Sequence, residues 1–446
     1  MSIPELLISP IDGRYQRKTK VLSNYYSEFG YQKYRIIVEL KYLSYLLNFD
    51  LLDNENIISK QIGIKSINSF FEELIYNFEK NPLRESTRIK EIEKITNHDV
   101  KAVEYYLQEK FKENNFVELI PFIHIGLTSQ DINTTSIVLS TKNFINNCLF
   151  TKLDRINLKL YTCANDYDVS MLSRTHGQPA TPTTMRKEFM VFFYRLTKQI
   201  DQLKKHELYT KFGGAVGNMK SMYSTYPEIN WENEMNKFIK SIGLKRSKYT
   251  TQVDGNESLI ELFDIIKRIN FVLIDMCQDI WLYIMQEYFV YQKNDNEIGS
   301  STMPHKINPI DFENAEGNLY VANQFAELFS RRLPISRLQR DLTDSTIMRN
   351  IGTFWGHCLI AYESIFVGLE KLMLNEPKIL DDLDNHAEVN GEAIQTILRK
   401  NGFDNAYEMV KELTRNHEKI TLGKIKDWIH SLSINDNIKR ELYGCL

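Results

Sequence analysis

The densest group of chemically active side chains lies in one short run, GSSTMPHKINP at residues 299–309. Its glycine, serines and prolines are typical of a loop between helices, and loops held by a rigid scaffold often carry function. The run supplies the hydroxyls of Ser300 and Ser301, the cation of Lys306 and the amide of Asn308. Such groups can bind a carboxylate and stabilise negative charge that develops on it. An ordinary polar surface loop could have the same composition, so composition alone does not decide between the two interpretations.

A second candidate centres on His176, in the segment SRTHGQPATP at residues 173–182. The glycine and prolines around it predict a turn, and an amphipathic helix is predicted to begin directly afterwards at Met185. Histidine titrates near neutral pH and can protonate a departing nitrogen. A lone histidine is more often structural than catalytic, so spacing alone would favour the structural interpretation.

A third polar group, TNHDVK at residues 96–101, precedes a helical pattern. Thr96 followed by Asp99 fits a helix-start signal, and the apolar residues after it give the helix a buried face. Spacing alone therefore predicts a capped helix with a histidine on its surface. The alternative is a binding segment that uses the polar side chains between Asn97 and Lys101.

Helical patterns dominate the elements that must position these groups. After Met185, apolar residues recur at alternating spacings of three and four, which predicts an amphipathic helix. They are Phe189, Phe192, Leu196, Ile200 and Leu203. The segment 259–291 is apolar almost all round with a narrow polar stripe, so a helix there must be buried on several sides.

We therefore expect an all-α protein whose central long helices form an oligomeric bundle, because strand-like alternation is scarce. A chain of 446 residues is too long for one compact core. The predicted division is an N-terminal helical domain at residues 1–117, a central long-helix domain at 118–369 that carries the 299–309 run, and a C-terminal helical domain at 370–446.

Composition and charge exclude several classes of protein. A formal net charge of −3 gives no general attraction for nucleic acid or an anionic membrane. The most apolar stretch, 271–291, is interrupted by acids at positions 275, 279 and 287, which argues against a membrane span. The five cysteines are scattered and the N-terminus lacks the features of a signal peptide, so we expect a cytoplasmic protein. The sequence signals no organic cofactor, and His98, His176 and His305 lack metal-site spacing, so we expect neither a metal nor an organic cofactor.

Over its whole length the 299–309 run resembles the signature of the fumarase/aspartase superfamily. Within that superfamily the chain resembles the adenylosuccinate lyase family, because several further segments match its motifs. These are SPIDGRY (9–15), TNHDVKAVEY (96–105), TSQDIN (128–133), RTHGQPA (174–180), YTTQ (249–252) and SRLQRDLTDST (336–346).

The resemblance implies a role for each matching residue. It makes Ser300 the catalytic base and His176 the general acid, although Ser301 is adjacent and the sequence does not separate the two serines. Lys306 and Asn308, helped by Thr128 and Ser129, would stabilise the carbanion that forms when the base removes a C–H proton from the substrate. The other implied substrate-binding residues are Arg14 and Tyr15 on the phosphate side, Asn97, His98, Asp99, Lys101, Gln252, Ser301, Asn314, Arg340, Ser345, Thr346 and Arg349.

The implied activity is a carbon–nitrogen lyase reaction of purine biosynthesis that releases fumarate. Its small-molecule substrates would be adenylosuccinate, which yields AMP, and the succinylated aminoimidazole carboxamide ribotide. The resemblance also implies a three-domain superfamily fold and a homotetramer with active sites shared between subunits. The alternatives are a superfamily lyase that acts on arginino- or aspartyl substrates, and a non-catalytic relative on the same scaffold.

Overall fold

The computed structural model describes residues 6–49, 51–52, 63–292, 303, 306–414 and 420–446. Ser300 and Ser301 lie outside these residues. Within them, helices dominate and the strands are few and short, which confirms the all-α prediction. None of the described helices has both the length and the apolar character that a membrane span requires.

In chain order, the described helices are α1 (Gln16–Thr19), α2 (Ser23–Tyr26), α3 (Glu28–Asn48), α4 (Ile64–Lys80), α5 (Pro82–Thr96), α6 (Asp99–Glu113), α7 (Ser129–Phe144), α8 (Phe150–Asp166), α9 (Met185–Lys205), α10 (Lys220–Thr225), α11 (Trp231–Ser241), α12 (Glu257–Met285), α13 (Ile310–Arg332), α14 (Thr343–Met348), α15 (Ile351–Glu370), α16 (Glu376–Asp384), α17 (Gly391–Lys400), α18 (Ala406–Thr414), α19 (Leu422–Ser431) and α20 (Asp436–Gly444). A π-helical turn, Ile145–Leu149, joins α7 to α8.

The strands form three two-stranded sheets. Antiparallel pairs are formed by β1 (Ser170–Thr175) with β2 (Gln178–Thr184), and by β5 (Phe289–Tyr291) with β6 (Leu372–Leu374); β3 (Tyr209–Thr210) and β4 (Lys245–Arg246) are parallel. The β1–β2 hairpin was not expected from the sequence. Its second strand carries two prolines, which cannot donate to a ladder and therefore conceal a strand in the sequence.

Two of the long helices can be compared directly with the helices predicted from the apolar spacing. The helix predicted from Met185 is confirmed as α9, and Phe189, Phe192 and Leu196 are buried. The helix expected over 259–291 is α12, which ends at Met285. Glu287 has a φ of 63°, a left-handed conformation that does not continue a helix. The last residues of the predicted segment form β5 instead, so the expected helix was too long.

The chain divides into two compact units. The first comprises Met1–Asp154, Gln199–Phe271 and Ala315–Glu363, and the second Arg155–Lys198, Val272–Asn314 and Ser364–Leu446. Helices α8, α9, α12, α13 and α15 contribute residues to both units. The three-domain division at residues 117 and 369 rests on different criteria and stays a prediction.

The first unit is built around α3, which packs against α4, α5, α6 and α7. The side chain of Ser27 caps α3 by accepting the Gly30 N–H at 3.1 Å. Next to this packing, the rings of Tyr42, Phe212 and Phe238 interlock with centroid distances of 5.0–5.4 Å. Helix α3 is therefore held on several sides by its neighbours.

The second unit contains the β1–β2 hairpin and a small apolar core of its own. That core is formed by side chains of α17 to α20 and the segments between them, with Leu398, Ile429 and Leu442 fully buried. The hairpin packs against α16 through β1. The turn of the hairpin therefore lies at the end of a strand pair that α16 holds in place.

Candidate active site

A cavity of about 340 Å³ in the first unit brings together many of the residues expected to bind substrate. The ones that line it are Asn97, His98, Asp99, Ser129, Arg340, Ser345, Thr346 and Arg349. They come from three sequence segments that the fold makes adjacent, the α5–α6 turn, the start of α7 and the region of α14. A larger cavity of about 730 Å³ in the same unit is lined by none of the expected residues, so we place the site at the smaller one.

The turn between α5 and α6 presents its polar side chains in a defined way. Thr96 is the last residue of α5, and the N-cap of α6 is His98, whose Nδ1 accepts the Lys101 N–H at 3.1 Å. The predicted cap at Thr96 was therefore wrong, because a left-handed residue, Asn97 with a φ of 50°, ends α5 first. Since Nδ1 is an acceptor, the neutral His98 ring carries its proton on Nε2, and about half of the side chain is exposed.

Two arginines fix the carboxylate of Asp99. Its Oδ2 lies 2.7 Å from Nη2 of Arg35 and 3.2 Å from Nη2 of Arg349. Burial opposes ionisation, but Arg35, the Val100 N–H and Arg349 together lower the pKa of Asp99 below its usual value. Asp99 is thus a fixed anion that orients two cations of the cavity.

The start of α7 is held in place by a buried ion pair between Asp131 and Lys211. Asp131 Oδ2 accepts the Thr128 N–H at 2.8 Å, as in a capping box, and Oδ1 accepts from Lys211 Nζ at 2.6 Å. Oδ1 also accepts the Gly213 N–H at 2.7 Å. Both charged side chains of the pair are fully buried, and burial lowers the pKa of Lys211 although Asp131 opposes that shift. This network fixes the backbone that carries Thr128 and Ser129.

Several residues that line the cavity were not predicted from the sequence. They are Tyr31, Arg35, Glu93, Gln130, Asn133, Ser136 and Asp344. Arg35 donates from Nε to Asn133 Oδ1 at 2.9 Å, and the amide of Gln130 donates to Asp344 at 2.9 Å. The sequence gives no clear signal for Arg35, because α3 also buries the polar side chains of Gln32, Lys33 and Glu39.

The remaining expected residues of the first unit lie outside this cavity lining. The Arg14 guanidinium lies 5.9 Å from the Tyr15 ring centroid, just before α1. Lys101 donates to Glu104 Oε1 at 2.6 Å. The amide of Gln252 donates to the Ala215 carbonyl at 2.9 Å, and its N–H donates to the carbonyl of Gln339, next to Arg340. Thr128 precedes the cavity residue Ser129.

In the second unit, His176 lies at the tip of the β1–β2 hairpin. Thr175 pairs with Gln178, so the turn consists of His176 and Gly177, with φ values of 54° and 74°. Two successive positive φ values are typical of a type I′ turn, in which a residue other than Gly, Asn or Asp is uncommon. The side chain of His176 is exposed, as a group that must meet a ligand requires.

The hairpin is tied to its unit through Arg174. Its Nη2 lies 3.6 Å from Asp382 of α16, whose carboxylate also accepts from the Tyr288 hydroxyl at 3.0 Å. Further along this unit, Lys306 is exposed and Asn308 is partly buried just before α13. Asn314, on α13, accepts from the Ser364 hydroxyl at 2.9 Å.

Comparison with protein families identifies two matching regions. The family described as lyase matches residues 13–322, and the family described as adenylosuccinate lyase C-terminal matches residues 336–445. An adenylosuccinate lyase of Dictyostelium discoideum is 48% identical over 444 residues, and one of Legionella pneumophila is 45% identical over 437 residues. Each alignment covers 98% of this chain and 94% of the relative.

Solved structures with much lower sequence identity share the fold. A fumarate lyase from Mesorhizobium sp. BNC1 superposes with a TM-score of 0.73 at 15% identity, over 96% of this chain and 94% of that one. A β-carboxy-cis,cis-muconate cycloisomerase from Acinetobacter calcoaceticus superposes with a TM-score of 0.72 at the same identity and coverage. The fold is therefore that of the fumarate lyase superfamily, and the sequence matches make this chain a member of the adenylosuccinate lyase family.

Proposed function

We propose that this chain releases fumarate from adenylosuccinate, giving AMP, and from the succinylated aminoimidazole carboxamide ribotide. The observation that carries the proposal is the 340 Å³ cavity, where three separate segments with family motifs meet. Its three arginines can donate hydrogen bonds to the phosphate and carboxylates of such a ligand, although Asp99 already accepts from two of them. Nearly full-length relatives that bear the name adenylosuccinate lyase support the same substrate.

The reaction breaks a carbon–nitrogen bond β to a carboxylate, and its difficult step is removal of a weakly acidic C–H proton. The resulting carbanion is accessible if its charge spreads into the adjacent carboxylate and fixed donors stabilise it there. In our proposal Lys306 and Asn308 supply that stabilisation, with Thr128 and Ser129 from the start of α7. The buried Asp131–Lys211 pair supports this role, because Asp131 holds the backbone of the turn through the Thr128 N–H.

Ser300 takes the proton and His176 protonates the departing nitrogen in this mechanism. The exposed position of His176 at a two-residue turn supports its role, because the imidazole can contact a ligand while the pairing of β1 with β2 stays intact. Ser300 needs neighbouring cations to stabilise its alkoxide, and Lys306 lies six positions along the chain.

The protein would act as a cytoplasmic homotetramer with shared active sites. Large apolar side chains remain exposed on the long helices of the single chain, which supports association through these helices. Examples are Leu158 on α8, Tyr194 on α9, Trp281 and Met285 on α12, and Val321 on α13. The free cysteines suit a reducing compartment.

An absorbance assay of the purified chain with adenylosuccinate tests the proposal. We expect AMP and fumarate to form in equal amounts, and His176→Ala to lose nearly all activity with an unchanged melting temperature. His430→Ala is the matched control, because His430 is also an exposed histidine of the second unit and lies on α19, outside the segments that carry the family motifs. No turnover of adenylosuccinate, with argininosuccinate or aspartate accepted instead, would favour the rival lyases; no turnover of any of them would favour the non-catalytic relative.

A further inference from the structure

Three side chains of the 340 Å³ cavity each have a polar atom without a hydrogen-bond partner. They are the Tyr31 hydroxyl, the Ser136 hydroxyl and Nη1 of Arg340, and each is closed off from solvent. A buried polar atom that makes no hydrogen bond is costly, since it has lost its water without replacement. Of the nine such atoms among the described residues, three lie around this one cavity, and this concentration requires an explanation.

The neighbouring side chains are already engaged with other partners. Arg35 donates to Asn133 and Asp99, and the Gln130 amide donates to Asp344. Tyr31 and Ser136 are also held by regular helix, on α3 and α7, so their backbone cannot move towards a new partner at low cost. The unused hydrogen-bonding capacity of the three side chains is therefore available to a group that enters the cavity.

The charges around these hydroxyls indicate the kind of group that enters. Arg35 and Arg349 are close enough to Tyr31 to act on its titration, but burial has the larger effect and raises the pKa of Tyr31 to about 12. The hydroxyl stays protonated at neutral pH and can donate. A donor among arginines fits an anionic oxygen, which a phosphate or a carboxylate provides.

We propose that Tyr31 and Ser136 are substrate-contacting residues whose hydroxyls, with Nη1 of Arg340, donate to an oxyanion group of the bound ligand. This inference rests on the proposed function for the identity of the ligand. It adds two residues, on the buried faces of α3 and α7, to those expected from the family motifs. Small side-chain rotations on binding would bring the hydroxyls to the ligand.

The proposal predicts an unusual combination of effects for Tyr31→Phe and Ser136→Ala. Each variant removes a hydroxyl that is unsatisfied without ligand, so the melting temperature of the ligand-free protein should stay equal or rise. The KM for adenylosuccinate should rise about three- to tenfold, the factor expected for one hydrogen bond, with kcat changed less than about twofold. A residue with a purely structural role would not separate stability from KM in this way.

Matched controls exist on the same helices. Tyr34→Phe removes a buried hydroxyl that accepts from Asn143 at 3.1 Å, so it should lower the melting temperature and leave KM unchanged. Ser140→Ala removes a hydroxyl that donates to the Ile137 carbonyl of its own helix, and KM should again be unchanged. Neither residue lines the cavity.

Calorimetric titrations with AMP and with fumarate identify the oxyanion. Weaker AMP binding with unchanged fumarate binding assigns the hydroxyls to the phosphate, and the reverse result assigns them to a carboxylate. An active wild-type chain with unchanged KM in both cavity variants would overturn this inference alone, as would a melting temperature that falls as in Tyr34→Phe. A wild-type chain inactive on adenylosuccinate would overturn the proposed function and this inference together.

Discussion

At the scale of single residues, Asp131 is the centre of a buried hydrogen-bond network in the first unit. Its carboxylate is fully buried yet accepts from the N–H groups of Thr128, Gly213 and Gly214 and from Lys211 Nζ, which also donates to the Gly214 carbonyl at 2.5 Å. Charges buried this deeply persist only when each is paired and hydrogen-bonded. The glycines are suited to this role because their N–H groups can approach one carboxylate closely, and Gly214 does so with a φ of 75°.

Lys211→Met should therefore destabilise the fold strongly. The substitution keeps most of the side-chain volume but leaves Asp131 buried without a counter-charge, a change that costs about 3–5 kcal/mol. Urea unfolding of the variant measures the loss. Lys245→Met is the matched control, because the Lys245–Glu207 pair is about half exposed and should contribute little. A loss no larger than that of the control would show that the buried pair does not stabilise the fold.

At the scale of elements, a second buried ion pair links α3 to the segment before α7. His124 Nδ1 lies 2.6 Å from Glu39 Oε1, and Glu39 is almost fully buried. Burial favours the neutral imidazole, but Glu39, with Glu104 and Asp131 further away, raises the pKa of His124 above its usual value. The proton is thus bound more tightly in the folded chain than in the unfolded chain.

This difference predicts a pH dependence of stability. The contribution of the His124 proton is fully present below the unfolded pKa of about 6.5 and is lost as the pH rises through the higher folded pKa. The melting temperature of the wild-type chain should therefore fall as the pH rises above about 6.5, relative to that of His124→Gln, which cannot titrate there. Parallel melting curves of the two proteins across this range would contradict the prediction.

The elements also show which structural information a single sequence contains. Periodic apolar spacing was sufficient to locate α9, because one face of that helix is buried in the usual manner. The hairpin of His176 and the end of α12 were not predicted, since proline and a left-handed Glu287 act through backbone geometry that leaves no periodic pattern. Cavity residues such as Tyr31 and Ser136 were missed for another reason: on a buried helix face they cannot be told from core positions until the fold brings their segments together.

At the scale of the whole molecule, the exposed apolar side chains of the long helices determine what a solution experiment should show. Leu158 on α8 and Tyr194 on α9 are 66% and 69% exposed in the single chain, and Tyr161 and Val191 on the same two helices are exposed as well. Apolar side chains exposed in numbers on adjoining elements are typical of an association surface.

Leu158→Glu should therefore convert the proposed homotetramer into a smaller species, because a charge at such a surface would be buried without a partner. If active sites are shared between subunits, activity on adenylosuccinate should fall in parallel with the loss of the tetramer. Light scattering coupled to size exclusion gives the mass, and the absorbance assay gives the activity of the same fractions. Leu83→Glu is the matched control, since Leu83 is 76% exposed on α5, a helix of the first unit alone, and should change neither quantity. A Leu158→Glu protein that keeps the wild-type mass would place the subunit contacts on other helices, and a dissociated protein that keeps full activity would show that each chain holds a complete site.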